Sequence, residues 1–530
     1  MHWSDVVAQR LSERGTKHIV STGITPSGEF HIGHLREILT GDMISKAANK
    51  AGLDVEFVFI VDSADPLRKV YSFLDDSYSQ YIGHQLKRIP PPGDDGRPDM
   101  ERFGKGISYA DHFLEPFKQA LEQIDVRPRF IDNFDAYASE KFAETARIAC
   151  NNADKIREII ERVSSRELAD DWFPWNPIDS NGSIDGIRVT GWNDPIVSWT
   201  DSEGNEGTSD VTKGEGKLPW RIDWPAKWAW IGVTMEPFGK DHGAAGGSYD
   251  TGKEIVELFD RKAPLDLTYE WISLRGQGAM SSSSGNTIGP LEALSLVPPE
   301  ILRYLIASTK PNKAIEFDTG MGLVNLADEF ERTTTRDFSI EMDKEGLSRR
   351  QKVAIEDAKT ALELSLISPL EETATVTFRH LAMLAQTKSR DEDVWTSLGL
   401  EHQLSQTMID RLHRMRTWVK SRHFPDELRI TILDEPKSEA IDKLDGDNVT
   451  ILPAIIERLE TCDWEAASIQ TAISSGAKSL DMSPRHAYRA LYLCIMGTER
   501  GPRLPAILAE LDKNSILNLL NACLESKKES

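Results

Sequence analysis

Residues 17–62 constrain the fold more tightly than any other stretch of the chain. KHIVSTGI (17–24) reads as a short buried strand that runs into the turn Thr25-Pro26-Ser27-Gly28. A helical pattern follows from about residue 33 to 50 and ends at Gly52, and DVEFVFIVD (54–62) is a second strand rich in Val, Phe and Ile. Strand, glycine turn, helix and strand form the opening of a doubly wound nucleotide-binding domain. Within it, His31-Ile32-Gly33-His34 places two imidazoles around a glycine at the mouth of a helix. Glycine lets a ligand lie close to the backbone. The helix N-terminus and two ring N–H donors then face an anion, as phosphoryl transfer requires.

The rest of the chain divides by texture. Residues from about 90 to 224 begin with PPPGDDGRP, pass through two helical segments and end in a Gly/Asp/Asn-rich stretch, so they read as an insertion in the first domain. Apolar character resumes in DWPAKWAWIG (223–232), and LDLTYEWISL (265–274) looks like a late core strand. Beyond Pro299 the pattern is almost wholly helical, without repeats or low-complexity segments. The expected fold is α/β: a Rossmann-type doubly wound catalytic domain at 1–289 carrying that insertion, a connecting stem at 290–345, and an all-helical domain at 346–530.

With 530 residues the chain is long enough for several domains, and its 39% hydrophobic and 28% charged residues are those of an ordinary globular protein. No apolar run approaches the roughly 18 residues that span a membrane. Val6, Val7 and Leu11 lie among charged residues and suit an amphipathic first helix rather than a leader peptide. A cytoplasmic monomer without membrane contact is expected. The net charge of -23 argues against a protein that holds nucleic acid by its overall charge, although a local basic face acts within a short screening length. Cys150, Cys462, Cys494 and Cys523 form no CxxC pair and read as buried apolar residues rather than as metal ligands or a disulfide framework.

GITPSGEFHIGHLRE (23–37) resembles the signature of the class I aminoacyl-tRNA synthetases, and within them the class I lysyl-tRNA synthetases. DPLRKV (65–70), LPWRIDWPAKWAWIGV (218–233), EPFGKDHGAAGGSYDTGKEI (236–255) and RALYLCIMGTERGPRL (489–504) extend that resemblance, in order, over nearly the whole chain. The resemblance implies two steps at one site: ATP and L-lysine give lysyl-adenylate and pyrophosphate, and the lysyl group then passes to the terminal ribose of tRNA-Lys. Mg2+ accompanies the ATP phosphates. By matching position His31, Gly33 and His34 would contact ATP, joined by Gly239 and Asp241. Gly23 and Thr25 would meet the amino and carboxylate ends of lysine, near His242. A carboxylate must face the ε-ammonium, because an unpaired buried ammonium is costly; Asp65 is the first choice and Glu29 the second. Trp228 and Tyr269 would wall the aliphatic stem. A glutamate enzyme would require a cationic pocket where Asp65 stands, and a cysteine enzyme would bring zinc ligands.

The chain departs from that family in two places. The second signature of the class, a mobile KMSKS-type loop, here reads Gly278-Ala279-Met280-Ser281-Ser282-Ser283-Ser284-Gly285-Asn286, with Ala279 and Ser284 where lysines are expected. Ser281, Ser282 and Ser283, with Met280, can still hydrogen-bond phosphate, but the cation must come from elsewhere, with Arg275 or Lys240 as the expected replacements. The alternative is a weak or repurposed paralogue that binds tRNA or nucleotide. Second, the insertion lacks the paired cysteines that resemble a zinc ribbon in the family, so no structural zinc is expected and Trp172, Trp175, Trp192 and Trp199 would hold the subdomain by packing.

The family resemblance makes the helical C-terminal part an anticodon-binding domain. Its densest basic run is RLHRMRTWVKSR (411–422). There Leu412, Met415 and Val419 would face the core, while Arg411, Arg414, Trp418 and Arg422 would offer phosphate contacts and a stacking surface to tRNA. Arg500 and Arg503, beside Gly501-Pro502, would meet the anticodon loop.

Overall fold

The computed structural model describes residues 1–275, 278–279, 288–367, 376–400, 402 and 404–529. The chain forms two compact units. The first comprises Met1–Leu294, Pro299–Asp318 and Arg336–Ile367; the second comprises Ser295–Pro298, Thr319–Thr335 and Ser368–Ser530. The expected stem at 290–345 is thus divided between them. Residues 346–367 pack in the first unit, where the buried Arg303 guanidinium donates to the Leu364 carbonyl oxygen and to Asp42.

In the first unit, α1 (Trp3–Ser12) precedes β1 (Lys17–Ile24), α2 (Ile32–Lys50) and β2 (Asp54–Val61). Next come α3 (Tyr109–Gln123) and β3 (Arg129–Asp132), then α4 (Trp220–Ile231), β4 (Met235–Gly239), α5 (Ser248–Glu257), β5 (Leu265–Tyr269) and the short β6 (Ile272–Leu274). The five-stranded sheet runs β5-β4-β1-β2-β3 with every neighbouring pair parallel. The chain therefore winds outward from β1 through β2 to β3, then returns to the other side of β1 at β4. A crevice opens at such a reversal, beyond the carboxyl ends of the two flanking strands, and ligands bind there in doubly wound sheets. Gly41 lets α2 lie directly on the sheet, since a Cβ there would sit 2.6 Å from the Phe57 ring.

One boundary differs from the sequence expectation. Residues 129–132 fall inside the expected insertion at 90–224, yet they form the edge strand of the main sheet beside β2. RFID is only four residues long and half exposed, so it carries no apolar run that would reveal a strand. The β-structure characteristic of the insertion begins later, with the pair Asn176–Pro177 and Gly216–Lys217 and the three-stranded meander Arg188–Asn193, Ile196–Thr200 and Glu206–Asp210. Trp175 is buried there and donates from Nε1 to Ser209 Oγ, Trp199 is buried, Trp192 donates to Asn151, and the Arg157 guanidinium lies over Trp172.

Among its described residues the second unit is helical apart from its loops. α6 (Gln406–Lys420) and α7 (Pro484–Met496, capped by Ser483) lie in it, and α7 packs in a core of Ile455, Ile456, Ile473, Leu491 and Leu520. Among the described residues, no helix is long and apolar enough to cross a membrane.

Candidate active site

The crevice at the sheet reversal is a cleft of about 700 Å³ in the first unit, lined from β1 and its turn by Gly23, Ile24 and Thr25, and from β4 by Glu236, Phe238 and Gly239. The start of α2 enters from one side. His31 is the N-cap residue of α2, and its Nδ1 accepts from the Gly33 N–H at 3.1 Å, while His34 Nδ1 accepts from the His31 N–H at 3.0 Å. Because each Nδ1 is occupied as an acceptor, each neutral ring carries its proton on Nε2. Burial pushes the His31 ring down to about 4 and the His34 ring to about 3. The rings, 3.9 Å apart, are therefore neutral donors at pH 7 and bring no positive charge. The same two histidines cap the helix and line the cleft.

The floor is a buried charge network. Lys217 lies 2.9 Å from Asp65 and 3.4 Å from Asp223, and Lys227 pairs with Asp62 and, at 2.7 Å, with Asp223. Thr25 donates to Asp65 at 2.7 Å, Asn133 to Asp62 at 2.8 Å and Tyr137 to Asp223 at 2.6 Å. Burial alone would raise the Asp65 carboxyl and lower both ammonium groups. The opposite charges outweigh it, holding Asp65 below the usual carboxylate range and both lysines above theirs. Asp65, the first choice for the substrate ammonium, thus already holds an ammonium of this chain.

Two other carboxyl groups in the cleft form no ion pair among the described residues. Glu37, one turn beyond His34 on α2, accepts from the Gly23 N–H at 3.1 Å and from the Tyr269 hydroxyl at 3.0 Å. Glu236 accepts from the indole N–H groups of Trp224 and Trp228. Burial pushes Glu37 up to about 7 and Glu236 up to about 8. At pH 7 Glu37 is thus about half-protonated and Glu236 mostly protonated until a cation arrives, so this part of the cleft suits an ammonium.

The expected site residues separate accordingly. Gly23, Thr25, His31, Gly33, His34, Asp65, Gly239, Asp241, His242 and Tyr269 all line the cleft. His242 is fixed through Nδ1 to Ser248 Oγ at 2.9 Å and stands 5.5 Å from the Trp224 ring. Trp228 does not line it: the ring packs against Gly252 of α5, where a Cβ would come within 2.8 Å, and the cleft wall is formed one turn earlier by Trp224 and Trp220. Met280, Ser281, Ser282 and Ser283, with Ser284, lie outside the described residues. Both expected replacement cations are engaged, Arg275 with Asp318 at 2.7 Å and Lys240 with Glu270 at 2.7 Å, the latter also 4.8 Å above the Trp271 ring.

Sequence reasoning did not single out Glu37, Glu236, Asp62, Asp223, Lys217 or Lys227. Glu37 had a local signal, since three residues beyond His34 places it on the same helix face. Asp223 and Lys227 also had one, at i,i+4 spacing on α4, whereas the pairs of Lys217 with Asp65 and of Lys227 with Asp62 join residues far apart in sequence.

In the second unit the basic helix is oriented differently from the expectation. Trp418 is fully buried, donates to the Thr319 carbonyl at 2.8 Å and packs between Phe378 and Phe424. Arg411 is buried too, 3.9 Å from Glu331. Residues 411, 415 and 418 share one stripe at spacings of four and three, so Arg411 and Trp418 lie with Met415 on the core face. Val419, expected in the core, is half-buried. Arg414 is half-buried, whereas Arg422, Arg500 and Arg503 are exposed, Arg503 donating to Gln470 at 3.1 Å.

Comparison with known proteins agrees with this geometry. The family described as tRNA synthetases class I (K) matches residues 1–363, and an anticodon binding domain matches residues 380–524. The chain is 37% identical to a lysine–tRNA ligase of Picrophilus torridus and 38% identical to one of Thermoplasma volcanium, in each case over 99% of both chains. It is 34% identical to a lysine–tRNA ligase of Archaeoglobus fulgidus over 99% of this chain and 100% of that one. The chain belongs to the class I tRNA synthetases of the lysine group.

Proposed function

We propose that this chain is a cytoplasmic, monomeric lysine–tRNA ligase, which activates L-lysine with MgATP to lysyl-adenylate and transfers the lysyl group to tRNA-Lys. The observation that carries the reading within the cleft is the pair of buried carboxyl groups, Glu37 and Glu236, which form no ion pair among the described residues, in the cleft that the neutral donors of His31 and His34 also line. An amino acid with a cationic side chain supplies positive charge to these carboxyl groups, and one with an anionic side chain would be repelled by them. In this reading Glu37 and Tyr269 receive the ε-ammonium, Gly23 and Thr25 border the other end of lysine, and Trp220, Trp224 and His242 cover the aliphatic stem. His31 and His34 donate from Nε2 to the phosphates, with Gly33, Gly239 and Asp241 beside the nucleoside. Asp65 positions Thr25. Magnesium enters with ATP as part of the substrate, held mainly by phosphate oxygens and water. Catalysis is then chiefly alignment of carboxylate and α-phosphate, with donors set in place before the charge develops.

On tRNA the exposed arginines of the second unit, Arg422, Arg500 and Arg503, with the half-buried Arg414, are the proposed contacts.

The test is charging of total tRNA from the organism that makes the protein, with labelled lysine, ATP and magnesium, beside parallel reactions with glutamate, cysteine and arginine. Lysine-only charging is expected. No charging by a folded protein that binds ATP would point instead to a repurposed paralogue, the reading that Ala279 and Ser284 favour.

A further inference from the structure

Transfer of a nucleotidyl group needs positive charge near the phosphates, and the cleft is poor in it. Six carboxyl side chains line it, those of Glu37, Asp62, Asp65, Asp223, Glu236 and Asp241. The two signature histidines are neutral at pH 7 because burial pushes them down to about 4 and 3. Residues 276–287, which span the second signature, contain no lysine or arginine, so no arrangement of that loop can supply a cation. Arg275 and Lys240 are held in ion pairs with Asp318 and Glu270.

Among the described residues three cationic side chains line the cleft: Arg36, Arg68 and Lys227. Lys227 is neutralised by Asp62 and Asp223. Arg36 is buried, with Nη2 on the carbonyl oxygens of Lys310, Pro311 and Lys313 and Nη1 sealed from solvent. Arg68 differs from both. Its side chain is exposed at the cleft and has no hydrogen bond or ion pair among the described residues. Its backbone is nevertheless fixed, because the neighbouring Leu67 is buried and exchanges 2.8 Å hydrogen bonds with Gly83 and His84. A free guanidinium on a rigid loop, facing a cavity otherwise rich in carboxylates, suits a phosphate oxyanion that it can grip with two parallel N–H donors.

We propose that Arg68 is the phosphate-binding cation of this cleft, contacting the phosphates of ATP and supplying the charge that Ala279 and Ser284 do not. The inference rests on the reading of the cleft as an ATP-dependent amino-acid-activating site, and its chemistry is shared by one other source, the phosphodiester at the 3′ end of tRNA.

Pyrophosphate exchange into ATP, with lysine and tRNA present, tests it. Arg68→Ala is expected to lower kcat by about 10²- to 10³-fold, as loss of one donor to transition-state charge does. The KM for lysine should stay near that of the wild type, and Arg68→Lys should recover part of the rate because charge returns without the fork. The substituted side chain is exposed, so an unchanged melting temperature should accompany the loss. A loss confined to transfer from preformed lysyl-adenylate would move the contact to the tRNA and overturn the ATP assignment. Full activity of Arg68→Ala, with the loss instead in Arg275→Ala or Lys240→Ala, would overturn the proposal altogether. Should the wild type exchange pyrophosphate with no amino acid, the reading of the reaction fails, and calorimetric binding of MgATP decides the inference alone. Equal affinity in the wild type and Arg68→Ala would then overturn it.

Discussion

The cleft of the first unit and the basic helix of the second use the same residue types to opposite ends. In the cleft, tryptophans, histidines and charged groups surround open space: Trp224 donates to a carboxyl group that forms no ion pair among the described residues, and the two signature histidines hold Nδ1 on backbone N–H groups so that Nε2 is left for a ligand. On α6 the tryptophan and one of the arginines face inward. Trp418 satisfies the Thr319 carbonyl between two phenylalanine rings, and Arg411 stands against Glu331. Arg416 likewise donates to the carbonyls of Ala385 and Lys388. Density of basic residues along a helix is therefore a poor guide to a binding surface. What separates the two regions is whether a polar group is satisfied by its own chain or left facing a cavity.

That contrast can be broken most severely by substitution of buried partners. Lys227→Met leaves Asp62 without its ion-pair partner and Asp223 with Lys217 alone, and denaturant titration should show a loss of about 3–5 kcal/mol. Trp418→Ala should cost a similar amount, about 3–5 kcal/mol, through the cavity it opens. If Trp418→Ala left stability intact while weakening tRNA binding, the helix would be an RNA surface after all. Next in size, His34→Ala removes a donor proposed for the phosphates, and kcat for pyrophosphate exchange should fall by about 10²- to 10³-fold, or ~2.7–4 kcal/mol.

Glu37→Gln removes the charge while its amide oxygen still accepts from Gly23 and its NH2 donates to the Tyr269 hydroxyl, so lysine affinity should fall by about 1.5–3 kcal/mol with ATP affinity unchanged. The pH dependence sharpens this case. Burial raises the Glu37 carboxyl to about 7, so the empty cleft binds a proton below that pH, and the protonated form contributes stability that is lost as pH rises through 7. An ammonium favours the ionised form, so lysine binding should release a proton and tighten as pH rises from 6 to 8. Glu37→Gln should flatten that profile, and a profile of unchanged shape would place the titrating group elsewhere. The smallest effect is expected at Arg422. Its replacement by alanine should reduce the salt dependence of tRNA binding by about one phosphate contact and leave lysine activation untouched.

Several features were legible in the residues alone. The strand at 17–24, the turn at Thr25–Gly28 and the helix that begins at the histidines are local structures, specified by β-branched runs, a Pro/Gly turn and a capped helix start. The shortage of positive charge in residues 276–287 is a matter of composition and holds however that segment folds. Glu37 was within reach of helical spacing, and so was the inward face of Arg411 and Trp418, had the stripe through Met415 been followed.

What the sequence could not decide is which charges cancel. Asp65 reads as a free carboxylate until Lys217, delivered by a two-residue strand of the insertion, closes on it at 2.9 Å. Glu37 reads as an ordinary helix-surface acid until Tyr269 and Gly23 enclose it. Local backbone chemistry acts over a few residues and is written in order along the chain. The protonation and availability of a buried group depend instead on partners and on exclusion of water, and only the packing of distant segments brings either about.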